Sequence, residues 1–129
     1  MSLPYVKSQI IFDVAAATET KNLDTEFERC QLVVLQMETV GFSGTIDIQG
    51  KLSDLSSWVN VPYIRQDALA LQTPAVAQLS LTTDTATKVY QILGFWRRFR
   101  VVMTWSAGTI HMAAAGSSSA NLFPRVIKT

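Results

Sequence analysis

Apolar and polar positions alternate with a period of two along much of the chain. The alternation is clearest from Phe42 to Gln49, where Phe42, Ile46 and Ile48 share one face and polar side chains share the other. A similar run covers residues 98–105. This pattern is typical of antiparallel strands that bury one face and leave the other in water.

The pattern predicts about eight short strands separated by turn residues. In chain order, the predicted strands cover 9–15, 29–38, 42–49, 58–63, 76–81, 88–93, 98–105 and 109–115. Strands of this length and spacing, without a strong helix, predict an all-β fold. We expect an antiparallel, jelly-roll-like β-sandwich; a closed barrel is the alternative, because both folds use the same alternation and the same turn residues.

Two local predictions follow from the residues in and between these strands. Ser106-Ala107-Gly108 is predicted to form a tight hairpin turn, because glycine accepts a positive φ. In the first strand, Ile10, Phe12 and Val14 are expected on one face, with Ile11 and Asp13 on the other. In the fourth, Val59, Val61 and Tyr63 are expected to point inward. The segment 16–25 is predicted to be a polar connection.

The length of 129 residues predicts one domain. Residues 1–8 are expected to form an extended N-terminal arm, 9–115 the β-sandwich domain and 116–129 a C-terminal tail. Apolar residues make up 48% of the chain and charged residues 16%. This composition excludes disorder and is slightly poor in charge for a lone monomer, which favours a partner that covers part of the surface.

Charge and hydropathy argue against two classes of partner. The formal net charge is +1, so no basic excess exists to neutralise several phosphates, and we expect no nucleic-acid partner. No stretch of 18 apolar residues occurs, and the N-terminus lacks the pattern of a signal peptide, so no membrane partner is expected.

The residues that catalysis would need are sparse. His111 is the only histidine and Cys30 the only cysteine, so they fall short of a zinc site, and no serine lies in a nucleophile-elbow context. The spacing of Asp47, Asp54, Asp67 and Asp84 favours solvated loop carboxylates over a catalytic pair. We therefore expect a protein that is not an enzyme and that uses no cofactor, metal or small-molecule substrate.

Two segments resemble small β-sandwich structural proteins of tailed-phage virions. The first has the form Gly-Thr-Ile-Asp-Ile-Gln-Gly, over 44–50, followed by Ser53, Asp54 and Trp58. The second comprises Tyr90, Ile92, Gly94, Phe95, Arg100–Thr104 and Ser106–Ile110. The resemblance covers about half of the chain, from Phe42 to Trp58 and from Tyr90 to Ala115.

The resemblance implies a non-enzymatic virion protein that decorates or cements the capsid through oligomeric contacts. Its implied partners are further copies of itself and the major capsid protein or other virion proteins. The implied location is the virion, after synthesis in the host cytoplasm. The position in the particle, head or tail, stays open.

Candidate partner contacts lie in the arm, in the tail and before the seventh predicted strand. They are Leu3, Tyr5 and Val6; Leu122, Phe123, Val126 and Ile127; and Trp96, Arg97 and Arg98. Ordering an apolar chain end costs conformational entropy, and only burial of its side chains can offset that cost. We therefore expect these ends to dock, either on a neighbouring subunit or on their own domain. Trp96 is either an interface anchor or a ring packed over the sheet, and the arginines serve either a partner or internal ion pairs.

The alternative function is a carbohydrate-binding module for host-surface glycans. Trp58 and Trp96 would stack on sugar rings, while Asp54 and Asn60 would bond to hydroxyl groups. Exposure of both indole rings would favour this alternative, and their burial would remove its basis.

Overall fold

The computed structural model describes residues 5–67 and 73–118, and eight antiparallel strands dominate them. The strands are β1 (Val6–Ala15), β2 (Glu19–Asn22), β3 (Leu32–Lys51), β4 (Val59–Asn60), β5 (Tyr63–Arg65), β6 (Leu79–Asp84), β7 (Thr87–Ile92) and β8 (Arg98–Ser117). One 3₁₀ helix, Thr25–Arg29, precedes β3. The all-β prediction is confirmed, while the choice between sandwich and barrel stays a prediction.

Two strands of 20 residues each, β3 and β8, form the central pair of the sheet. They pair from Leu32 opposite Ser117 to Lys51 opposite Arg98. The second edge of β3 pairs first with β7 and then with β6 and β4, and the second edge of β8 pairs first with β2 and then with β1. β5 extends the sheet beyond β7. All other strands therefore attach, directly or through β7, to the β3–β8 pair.

The predicted hairpin turn at Ser106-Ala107-Gly108 is wrong, because β8 continues through it. β3 likewise joins two predicted strands through Gly41. The register of the β3–β8 pair shifts between Val40 and Gly44, where both strands carry a glycine with positive φ, 58° at Gly41 and 76° at Gly108. The glycines therefore serve a pair of facing β-bulges instead of a turn.

The bulges keep one face of each long strand in the core. Apart from Leu32 and Ser117 at one end of the pair, the buried positions are odd-numbered before the bulges and even-numbered after them. The side chains that β3 adds to the core cluster are Val33, Leu35, Met37, Phe42, Ile46 and Ile48, and those of β8 are Phe99, Val101, Met103, Ile110, Met112 and Ala114. Side chains alternate between faces along a strand, so an unbulged strand would turn its second half outward.

β1 departs from its predicted pattern. It begins at Val6, inside the segment expected to be an arm, and its register shifts on either side of Phe12. Ile11 and Phe12 are both buried, whereas Ile10 and Val14 are exposed. The prediction that Ile10, Phe12 and Val14 share one face is therefore wrong, because an irregular strand breaks the period of two that the prediction used.

Three further elements differ from the predicted layout. β2 lies in the predicted polar connection; all four of its residues are exposed, so it forms by pairing with β8 and not by burial. Pro62, which lacks an N–H donor, separates β4 from β5. Val59 is exposed and the inward prediction for it is wrong, while Val61 and Tyr63 are buried.

One apolar cluster joins the inner faces of the strands. Its largest fully buried side chains include Phe12, Phe27 and Phe42. The rings of Tyr63 and Tyr90 meet edge to face, with centroids 5.4 Å apart. Burial raises the pKa of Tyr90 to about 12. Among the described residues, no helix is long and apolar enough to cross a membrane.

We predict that Gly108→Ala destabilises the protein by about 3 kcal/mol or more, because a left-handed φ and a steric clash act together. A Cβ at Gly108 would lie 2.1 Å from the carbonyl oxygen of Gly41. Gly41→Ala is the matched control: it shares the positive φ but meets nothing within 4 Å. Its expected cost is about 1–2 kcal/mol, from the backbone alone. Denaturant unfolding measures both, and equal costs would contradict the bulge assignment.

We predict that stability falls as pH rises from 10 toward 12. The folded-state pKa of Tyr90 is raised from 10.0 to about 12, so the unfolded chain releases this proton first. The stabilisation is complete below the unfolded pKa and is lost as pH approaches the folded one. Tyr90→Phe should flatten this part of the curve, measured as the free energy of unfolding against pH. An unchanged slope would show that another group causes the loss.

Candidate interaction surface

Four exposed apolar side chains lie on the segments 52–59 and 93–97, which follow β3 and precede β8 at the Lys51–Arg98 end of their pairing. We call Leu52, Leu55, Val59 and Phe95 the loop-end patch; Leu55 is 99% exposed and Phe95 73%. The Arg97 N–H donates over 3.0 Å to the carbonyl of Lys51, the last residue of β3, which ties the loop 93–97 to the strand end where the loop 52–58 begins. The patch therefore stands on an anchored part of the backbone.

Trp96 belongs to the loop 93–97 and is half-buried. Its Nε1 donates to the Leu93 carbonyl over 2.9 Å, and its ring packs against the backbone at Gly50 and Gly94. A cavity of about 320 Å³ separates the ring from Leu52 and Val59. Trp96 is thus packed over the sheet edge, and it supports the loop-end patch from beneath.

Arg97 and Arg98 both pair with Glu28 of the 3₁₀ helix. Arg98 also lies 3.4 Å from the carboxylate of Asp54 in the neighbouring loop. The hydrogen bond from Arg98 holds the pKa of Glu28 below its ordinary value. Internal ion pairs thus engage both arginines, although the Arg97 side chain stays 46% exposed at the margin of the patch.

Tyr5 of the predicted arm is docked on its own chain. Its N–H donates to the Ser118 Oγ over 2.7 Å, and its hydroxyl donates to Glu26 over 2.9 Å. The Arg29 guanidinium lies 4.1 Å from the centre of the Tyr5 ring. Val6, by contrast, is 68% exposed.

The remaining predicted contacts of the arm and tail have no described position. Leu3, Leu122, Phe123, Val126 and Ile127 lie outside the residues that the structure describes. Their role as partner contacts stays a prediction.

The side chains that would bind a glycan in the alternative function already make contacts within the chain. The ammonium of Lys51 and the guanidinium of Arg100 lie 4.7 and 4.6 Å from the centre of the Trp58 ring. Asn60 accepts from Gln49 and donates to the Val76 carbonyl. Asp54 faces Arg98, and Trp96 is packed as described above. A sugar would have to compete for each of these groups.

His111 and Cys30 lie in separate surroundings. The Nδ1 of His111 is 3.6 Å from a carboxylate oxygen of Asp13. Cys30 is buried against the 3₁₀ helix and β8, and burial raises the pKa of its thiol. Within 5–67 and 73–118, no group of three His, Cys, Asp or Glu side chains is placed to hold a metal ion.

The loop-end patch was not predicted from the sequence. Trp96 was a candidate contact, but Phe95 entered only as part of a motif, and Leu52 and Leu55 were not singled out. A usable signal was present: large apolar side chains within a segment otherwise rich in Ser and Asp. Such side chains cannot follow strand alternation into the core, so they mark exposed apolar surface.

The fold is similar to that of one solved protein. The crystal structure of the SPBc2 prophage-derived protein YomS matches with a TM-score of 0.63, at 9% sequence identity, over 91% of this chain and 96% of that one. No protein-family model matches the chain, and no curated protein matches it in sequence. At this identity the likeness shows a shared fold.

We predict that the two neighbouring aromatic residues contribute very differently to stability. Trp96→Ala should cost roughly 2–4 kcal/mol, because it removes a packed ring and a hydrogen bond. Phe95→Ala should change stability by no more than about 0.5 kcal/mol, because the ring is exposed. Urea unfolding of both variants tests the pair, and a large loss in Phe95→Ala would show that Phe95 serves the core.

Proposed function

We propose that the chain is a non-enzymatic structural protein of a tailed-phage virion, a capsid decoration or cement subunit that acts through oligomeric contacts. Its partners are further copies of itself and the major capsid protein or another virion protein. The loop-end patch is the observation that carries this proposal, because it offers a large apolar ring on an anchored loop beside charged side chains.

The patch has the composition of a protein-binding surface. Interfaces favour aromatic and Arg anchors whose burial excludes water. Phe95 is fully available for such burial, and Arg97 borders it with part of its guanidinium exposed. Covering Phe95 and Leu55 would contribute roughly 1.5–3 kcal/mol for each side chain before ordering costs. Repetition over many symmetric copies would make such modest contacts strong.

Two observations support a phage origin. The fold is shared with a prophage-derived protein. The two segments that resemble virion proteins, 42–58 and 90–115, include half of β3, most of β8 and both loops of the patch, with Leu52, Leu55 and Phe95 among their residues. A scaffold that presents this patch suits a building block of a particle.

The test is co-purification with particles of the phage whose genome carries the gene. We expect the chain to band with the virions in a density gradient, in a fixed ratio to the major capsid protein. The purified chain should also rebind particles that were assembled without it. Mass spectrometry of the gradient fractions measures the ratio.

Variants connect this result to the patch. Phe95→Glu and Leu55→Glu should weaken rebinding by about 30-fold or more, since each places a charge in an apolar contact. Val14→Glu, on exposed β1, is the control and should bind as the wild type does. A chain that stays at the top of the gradient, with particles unaffected by its absence, would refute the proposal.

A further inference from the structure

The outer face of the sheet formed by β1, β8, β3, β7 and β5 carries no charge over its central rows. Paired residues share a face, and the pairs Ser8–Ala115, Ala115–Val34, Val34–Gln91 and Gln91–Ile64 define one row. The next row is Ile10, Ala113, Gln36 and Val89. None of these side chains is ionisable, whereas a solvated face normally carries charged residues of both signs.

Two adjoining depressions lie on this face, and we call them together the outer groove. The first, of about 160 Å³, is lined only by apolar surface, from Val6, Leu32, Val34, Ala115, Gly116 and Ser117. The second, of about 410 Å³, shares Val34 and Ala115 and adds Gln36, Gln66 and Val89. An aliphatic or aromatic side chain suits the first depression, and the amides of the second can bond to a peptide backbone.

The described part of the chain ends at the rim of the outer groove. Ser118 exchanges hydrogen bonds with Tyr5, directly after the groove-lining Ser117. Residues 119–129 follow and contain Leu122, Phe123, Val126 and Ile127. An extended segment of this length reaches up to roughly 36 Å, whereas a face five strands wide spans only about 19 Å.

We propose that the outer groove binds residues 119–129 of a second copy of this chain. Pro124 favours an extended backbone at Phe123, so the segment is partly preorganised for a groove. The segment carries Arg125 and Lys128 and no acidic side chain, while Glu38 and Asp13 are exposed on the strands beyond the uncharged rows. Apolar side chains thus meet apolar surface, and basic side chains face acidic ones.

The geometry favours a second copy over the same chain. Both edges of β8 are occupied at its end, because Ser117 pairs with Val6 on one side and with Leu32 on the other. A tight hairpin would need a free edge there. Return over the face requires a climb of about 10 Å, the spacing of packed layers, and this uses residues 119–121 before any reversal of direction.

Exchange between two copies also supplies enough contact area. Each tail offers one phenylalanine and three aliphatic side chains, and reciprocal docking buries both sets with the surfaces beneath them. The total is on the order of the ~1,200 Å² at which stable interfaces begin. This inference rests on the proposed function, since it supplies the contact between copies that a virion subunit needs.

The experiment uses the full chain without particles, so its outcome is independent of virion binding. Ala115→Glu and Val6→Asp alter the outer groove, Phe123→Asp alters the tail, and Val40→Glu, at a 65% exposed position elsewhere on β3, is the control. Light scattering should find oligomers for the wild type and for the control. Each groove or tail variant should raise the dissociation constant by at least about tenfold.

Mixing two variants distinguishes exchange of tails between copies from docking of each tail on its own chain. Ala115→Glu retains an intact tail and Phe123→Asp an intact groove, so their mixture should form hetero-oligomers that neither forms alone. A labelled peptide of residues 119–129 should bind the Phe123→Asp chain and lose affinity by at least about tenfold when Ala115→Glu is added. Peptide binding with a monomeric wild type would mean that each tail covers its own groove, and absence of peptide binding would exclude the groove; either result overturns the proposal.

Discussion

The structure depends on the close approach of β3 and β8 at Gly41 and Gly108. The backbones meet so tightly there that a single Cβ would overlap a carbonyl oxygen. The bulges at this point change which positions face inward, so two strands of 20 residues each serve one core along their whole length. The same pair of strands fixes the two surfaces, because the loop-end patch lies beside its Lys51–Arg98 end and the outer groove beside its Leu32–Ser117 end. A rigid ladder thus separates two apolar surfaces on one subunit.

Much of this core was predictable from the period of two. Phe42, Ile46 and Ile48, which the alternation placed on one face, are all buried. The bulge at Gly108 was not predictable, because a glycine with small neighbours carries the same local signal in a hairpin turn and in a bulge. Only the pairing with the distant strand β3 distinguishes a bulge from a hairpin turn, and the register of that pairing cannot be predicted from the local sequence. The irregular β1 was missed for the same reason.

The surfaces were less predictable than the core. Trp96 and its arginines were recognised as a candidate contact, but Glu28 and Asp54, which engage these arginines, come from distant segments. The self-docking of Tyr5 depends on Ser118, at the far end of β8. The uncharged outer face appears only when five strands are aligned, since each contributes just one or two of its residues. Single side chains could therefore be identified from the sequence, whereas the surfaces they form depend on the strand pairing of the sheet.

The strand order has a consequence for how the protein is made. Within the described residues, β1 and β2 have one sheet partner each, β8, and β8 is the last strand to be synthesised. Nascent chains on the ribosome therefore carry these segments unpaired until β8 has emerged. High contact order slows such closure and prolongs the exposure of strand edges to other chains. The whole sheet can therefore be completed only after β8 has been made.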